Sequence, residues 1–191
     1  MIIVNLFGGP SSGKSTLATK LFSELKITTN LAIEYVHEYA KDLVYEQRHN
    51  ILSNDQLYVF AKQNHMLKMI ELSNEIDIIV VDSPILLSAV FGNLNKSTSK
   101  KFNELVIETF NSYNNINVFI ERNDSFFQSY GRIENEIDVA KKVDTEILKM
   151  LDENAIDYIK CKNEDVINNV INSLKIKEYY NEWFYNIEYK I

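Results

Sequence analysis

Gly8-Gly9-Pro10-Ser11-Ser12-Gly13-Lys14-Ser15-Thr16 decides how the rest of the chain is read. The run has the spacing G-x-x-x-x-G-K-[S/T], and it follows directly on the strand-like Ile2-Ile3-Val4-Asn5-Leu6-Phe7. Glycines let a backbone close its N–H groups around phosphate oxygens, and a helix opening near Lys14 would aim its positive dipole end at the same anion. In such a loop the lysine ammonium reaches the β- and γ-phosphates, and the hydroxyl that follows it ligates Mg²⁺. Gly8, Gly9, Pro10, Ser11, Ser12, Gly13, Lys14, Ser15 and Thr16 are therefore the expected set for a nucleoside triphosphate, with Ser15 also a metal ligand.

The composition suits an enzyme-sized globular domain. A chain of 191 residues, 46% apolar and 25% charged, is long enough to bury a full core, and one domain over residues 1–191 is expected. Gly and Pro are scarce, at 5 and 2, and neither a Ser/Pro-rich linker nor an internal repeat divides the chain. A net charge of −7 argues against a general binder of nucleic acid or membrane surface, because both are anionic and attract basic patches. Cys161 is the only cysteine, which excludes an internal disulfide and points to a reducing compartment. The N-terminus lacks a basic n-region and a cleavage site, and it reads as a strand rather than a signal. With no apolar run of membrane-spanning length, a cytoplasmic protein without a membrane partner is expected. The abundance of Asn, Ile and Lys points to an AT-rich genome, bacterial or viral.

After the loop, Leu17, Ala18, Leu21, Phe22 and Leu25 recur at helical spacing and predict an amphipathic helix over residues 14–26. A β-prone run at 31–36 is followed by a helix expected over 37–48. A longer helix is expected from Ser53 or Asn54, its buried side carrying Leu57, Phe60, Ala61, Asn64, Met66, Leu67 and Ile70. Glu75-Ile76-Asp77-Ile78-Ile79-Val80-Val81-Asp82 is the clearest strand, a β-branched run that ends in a carboxylate before Ser83-Pro84. Residues 116–121 repeat the pattern and 157–161 give a weaker fifth strand, with helices expected over 99–110, 136–153 and 164–175. This alternation predicts an α/β fold of three layers, a P-loop NTPase architecture in which helices cover a five-stranded parallel sheet. Ligands bind at the C-terminal ends of such strands, where Gly8, Asp82 and Arg122 fall.

Asp82 stands where a phosphate-loop protein needs a second acid, able to hold the metal or poise an acceptor hydroxyl; the other reading is a cap on the turn into Pro84. Glu34 and Glu38 flank the end of the second strand, as a further acidic pair or as solvated charges. The chain has three arginines, Arg48, Arg122 and Arg132, and two of them lie in a segment between the fourth strand and a long helix. Phosphoryl transfer spreads negative charge over equatorial oxygens, so a lid over residues 122–135 would bring Arg122 and Arg132 onto the γ-phosphate. The alternative is a solvated loop whose arginines pair with neighbouring acids. That count leaves Arg48 and scattered lysines for an acceptor phosphate, which favours an acceptor hydroxyl without its own phosphate. His37, His49 and His65 show no ligand spacing, and Lys96, Lys100 and Lys101 read as a solvated loop or an acceptor patch. The tail 178–191 carries Tyr179, Tyr180, Trp183, Phe184, Tyr185 and Tyr189; packing on the domain or on a second subunit is expected, with base stacking the alternative.

These residues together resemble the P-loop kinase domain of the NadR-type ribosylnicotinamide kinases and the related AAA-like kinase/ATPase proteins of bacteriophages. The phosphate loop, the segment Val36-His37-Glu38-Tyr39-Ala40-Lys41 beside the family's R-E-Y-A-R, and the stretch from Tyr58 to Gln63 carry the likeness. Val81-Asp82-Ser83-Pro84 and Gly131-Arg132 extend it, while His37 and Lys41 stand at the segment's two arginine positions. The resemblance implies ATP and Mg²⁺, Lys14 on the phosphates, Ser15 and Asp82 at the metal, Asp82 and Glu38 near the acceptor hydroxyl, and a lid with Arg122 and Arg132. It also implies that Lys162-Asn163-Glu164 borders the adenine, with Asn163 as a nucleotide contact, in a stand-alone kinase domain. The expected activity is transfer of the γ-phosphoryl group to a hydroxyl of a nucleoside-like small molecule. A kinase for a nucleic-acid end or modified base, and a non-enzymatic ATP-binding switch, are the alternatives.

Overall fold

Parallel pairing of five short apolar runs organises the chain, and the computed structural model describes residues 1–124 and 137–176. The strands are β1 (Ile2–Phe7), β2 (Ile33–Val36), β3 (Ile78–Val81), β4 (Asn115–Ile120) and β5 (Ile159–Cys161). They lie in the order β2-β3-β1-β4-β5, with every pairing parallel. The helices are α1 (Lys14–Thr28), α2 (Tyr39–Tyr45), α3 (His49–Asn54), α4 (Gln56–Glu71), α5 (Leu87–Leu94), α6 (Lys100–Asn111), α7 (Ile137–Glu153) and α8 (Val166–Ile176). The expected α/β/α architecture with a five-stranded parallel sheet is the one observed.

Strand alternation divides the core into two apolar layers. Ile2, Val4 and Leu6 turn to the side covered by α1 and α8, where they meet Leu17, Leu21, Leu25, Val166 and Val170. Ile3 and Phe7 turn to the other side, against Phe60 and Leu67 of α4, Val106 and Phe110 of α6, and Val143 and Ile147 of α7. Because both faces are covered, these strands read as continuous apolar runs rather than as alternating ones.

Asn5 is the exception inside β1, and it is 2% exposed. Its Nδ2 donates to Asn115 Oδ1 at 2.9 Å and to Asn117 Oδ1 at 3.0 Å, and Asn117 in turn donates to the Asp157 carbonyl at 3.0 Å. Asn5 is the register partner of Asn117, so the amide ladder is satisfied only when β1 and β4 pair as they do. Asn5→Leu would leave the Asn117 oxygen facing hydrocarbon. We expect it to destabilise the protein by about 2–4 kcal/mol, read from the midpoint of urea unfolding, and an unchanged midpoint would remove the ladder from the account.

Several expected boundaries shift. The helix expected over 37–48 is broken, because Gln47 adopts φ 60 between α2 and α3. The long helix begins only after Asp55, whose side chain accepts from the Tyr58 N–H. Leu57 and Ala61, expected on the buried side of α4, face solvent, whereas Gln56, Val59, Phe60, Gln63 and Leu67 are buried. Two glutamines hold core positions of that helix, and a count of apolar residues alone rotates its buried face the wrong way. Helix α5 was not expected, since the run from Ile85 to Phe91 is apolar but for Ser88 and has no period to read. No helix among the described residues is long and apolar enough to cross a membrane.

Candidate active site

The phosphate loop leaves the C-terminal end of β1, and α1 begins at Lys14. Gly13, its N-cap, has φ 95, a left-handed conformation that L side chains rarely adopt. Gly8, Gly9, Pro10 and Ser12 are buried, Ser11, Gly13 and Ser15 are partly so, and Thr16 is exposed. Lys14 is 7% exposed, and its Nζ donates to the Gly9 carbonyl at 3.0 Å, which folds the ammonium back over the loop. A cleft of about 300 Å³ opens above, lined by residues of the loop and α1 from Ser11 to Leu17 together with Glu38, Asn123 and Asn163. The structure thus brings Glu38 and Asn163 to the phosphate loop from opposite ends of the sheet. Ser12 Oγ and Asn163 Oδ1 are buried with no hydrogen-bond partner among the described residues.

Asp82 follows β3 and is 2% exposed, its N–H bonded to the Val36 carbonyl at 3.0 Å. Its Oδ2 accepts from the Tyr35 hydroxyl at 3.4 Å, while Oδ1 is buried without a partner among the described residues. Burial, the Asp82 charge and the bond to Asp82 push the Tyr35 phenol well above its ordinary value, with a smaller push from Glu38. Tyr35 therefore stays protonated and donates, and its ring packs on Phe22 of α1 with centroids 6.1 Å apart. A buried carboxylate oxygen with no donor is costly unless a positive group arrives. That orphaned oxygen fits a hydrated Mg²⁺, which Asp82 would hold together with Ser15 in the first turn of α1.

Glu38 is the N-cap of α2, yet its side chain makes no capping bond, and it lines the cleft instead. Gln63 of α4 braces this segment: its Oε1 accepts from the Tyr39 N–H at 2.9 Å, and its Nε2 donates to the His37 carbonyl at 2.9 Å. Glu34 is partly buried on β2 and does not line the cleft. His37 pairs with Asp42 at 2.9 Å on the surface, and Lys100 with Glu104 at 3.5 Å. Arg48 pairs with Glu46 at 3.1 Å, its guanidinium 5.7 Å from the centre of the Tyr58 ring.

Arg122 departs most from expectation. Instead of projecting from a lid, its side chain is 6% exposed and locked against the phosphate loop. Nε donates to Asp144 Oδ2 at 2.7 Å and Nη1 to the Pro10 carbonyl at 2.6 Å, while Asp144 Oδ1 accepts from the Gly9 N–H at 2.5 Å. The packing leaves no room for a side chain at Gly9, where a Cβ would stand 2.7 Å from the Ala140 carbonyl and 3.0 Å from Arg122 Nη2. One carboxylate thus ties α7, the end of β4 and the loop together. Asp144 escaped the sequence reading, although one signal was present: it sits one helical turn from Ala140 and Ile147 on the apolar stripe of α7. Arg132, the rest of the expected lid from 125 to 135, and the aromatic tail 178–191 lie outside the described residues.

With this geometry in place, comparison with known proteins gives a family. The model of a family described as an AAA domain matches residues 3–168. No curated protein is a significant match to the chain. Among solved structures, the YorR protein of Bacillus subtilis in complex with phosphorylated GDP superposes with a TM-score of 0.56 at 14% identity, over 94% of this chain and 99% of that one. Shikimate kinase from Aquifex aeolicus gives a TM-score of 0.48 at 19% identity, over 93% of this chain and 98% of that one. The similarity to YorR is one of fold.

Proposed function

The chain belongs to the AAA-domain family whose model spans residues 3–168, and on that premise we propose that it is a kinase that transfers the γ-phosphoryl group of ATP to a hydroxyl of a nucleoside-like small molecule, of ribosylnicotinamide or deoxynucleoside type. The observation that carries this reading is the meeting of Glu38 and the phosphate loop in one cleft, with the Glu38 carboxylate not engaged as a helix cap. A triphosphate held by the loop faces a base within the same space.

The loop amides and the N-terminus of α1 hold the β- and γ-phosphates, and Lys14 exchanges the Gly9 carbonyl for phosphate oxygens. Ser15 and Asp82 would hold Mg²⁺, which would supply positive charge against the phosphates. The acceptor oxygen forms its bond to Pγ as the bond from Pγ to the β–γ bridging oxygen breaks, ADP leaves, and the acceptor proton passes to the Glu38 carboxylate. Asn163, whose side chain lies beside Gly13 and whose buried oxygen has no hydrogen-bond partner among the described residues, borders the adenine. No arginine of the described residues lines the cleft, which supports an acceptor hydroxyl without its own phosphate.

ADP release with ATP·Mg²⁺ against nicotinamide riboside, nucleosides, nucleoside monophosphates and a 5′-hydroxyl oligonucleotide tests the proposal. Stimulation by a nucleoside-like compound is expected, with a loss of about 10²-fold in Glu38→Gln. Stimulation by the oligonucleotide alone would overturn the small-molecule reading, and nucleotide binding without stimulation by any acceptor would leave an ATP-binding switch.

A further inference from the structure

We propose that Gln63 is a positioning residue for Glu38: it fixes the backbone on both sides of that acid. The inference rests on the reading of Glu38 as the proton acceptor. It names what holds that acceptor in place.

The two groups Gln63 binds belong to the two peptide units that flank the Glu38 Cα. The His37 carbonyl lies in the unit before it and the Tyr39 N–H in the unit after it, each at 2.9 Å from the Gln63 amide. With both planes pinned, Glu38 is held at φ −77 and ψ 107, an extended conformation directly before the helix. The first N–H groups of a helix have no partner within it, and an N-cap side chain answers that of the second or third residue, not of the first. The Tyr39 N–H is the first of α2, and it is answered from α4 by Gln63. The Glu38 side chain lines the cleft.

Gln63 is built to do this. It is 4% exposed and lies one turn from Phe60 and from Leu67 on the buried face of α4, so its side chain is confined by the core. A buried amide in an apolar stripe is tolerated only where its donor and acceptor are both met, as they are here. A second tether runs alongside, because the Tyr39 hydroxyl donates to the Tyr58 hydroxyl at 2.9 Å. Helix α4 therefore holds the Glu38 segment at two points, and a misplacement of about 1 Å at a reacting group is enough to slow a transfer by about 10²-fold.

Gln63→Met, which keeps the length and removes both hydrogen bonds, tests this in a double-mutant cycle with Glu38→Gln. The expected result is a fall of about 10- to 100-fold in kcat with the KM for ATP within about twofold, and no further fall when Gln63→Met is added to Glu38→Gln. Wild-type kcat in Gln63→Met, or the same factor lost again in the Glu38→Gln background, would overturn it. Glu38→Gln alone separates the two claims, since full turnover in that variant removes the proton-acceptor reading whatever Gln63 does. Amide exchange in the wild-type protein needs no variant: the Tyr39 N–H is expected to exchange slowly in the native state, and fast exchange there would show that the brace does not form.

Discussion

Asp82→Asn is expected to lower turnover by about 10²- to 10³-fold while ATP still binds. The substitution keeps the shape of the side chain and an oxygen for the Tyr35 hydroxyl, so the packing under α1 survives. What it removes is the charge on a carboxylate that is 2% exposed and has one oxygen without a hydrogen-bond partner among the described residues. On the proposed function that oxygen would hold the metal, so the requirement for Mg²⁺ should move to higher concentration along with the loss of rate. Steady-state kinetics over a Mg²⁺ titration, with ATP affinity measured separately, checks both parts. Unchanged turnover would reduce Asp82 to the cap of a strand-end turn.

Asp144→Ala should disturb stability more than any other single change at the site. Asp144 receives the Gly9 N–H at 2.5 Å and the Arg122 Nε at 2.7 Å, and Arg122 is 6% exposed, so the variant strands a buried guanidinium and a loop amide together. Breaking a buried pair from one side costs about 3–5 kcal/mol. For a chain of this length that corresponds to a fall in melting temperature on the order of 10 °C. The loop that loses its anchor is also the nucleotide cradle, so ATP affinity should fall with stability. Asp144→Asn, which keeps an oxygen for Gly9, should lose less of both. Thermal unfolding with and without ATP measures the two effects, and an Asp144→Ala protein as stable and as tight for ATP as wild type would mean that the clamp holds nothing.

The parts of the architecture that local chemistry determines were legible in the sequence. The phosphate loop follows from glycine spacing, β1, β3 and β4 from β-branched runs buried on both faces, and Asp82 from its place at a strand's end. What was not legible is set by partners far away along the chain. Asp144 lies 135 residues from Gly9, which it holds, and Gln63 lies 24 and 26 residues from Tyr39 and His37, which it bridges. Neither pairing has a local period or motif, and each shows only as a polar residue on an apolar stripe. Arg122 illustrates the converse. Its position next to a strand end was correct, but scarcity of arginine suggested a residue reaching over the nucleotide, while Asp144 and the Pro10 carbonyl draw it beneath the loop. Helix α5 was missed because a run apolar but for Ser88 carries no phase; it packs between α4, α6 and α7.

Transfer of the γ-phosphoryl group itself tests the central claim most directly. ATP labelled at the γ-position, incubated with Mg²⁺ and nicotinamide riboside or a deoxynucleoside, is predicted to place the label on the acceptor in step with ADP formation, and Lys14→Ala is predicted to abolish both. Label appearing only as inorganic phosphate, at the same rate with and without an acceptor, would contradict the account.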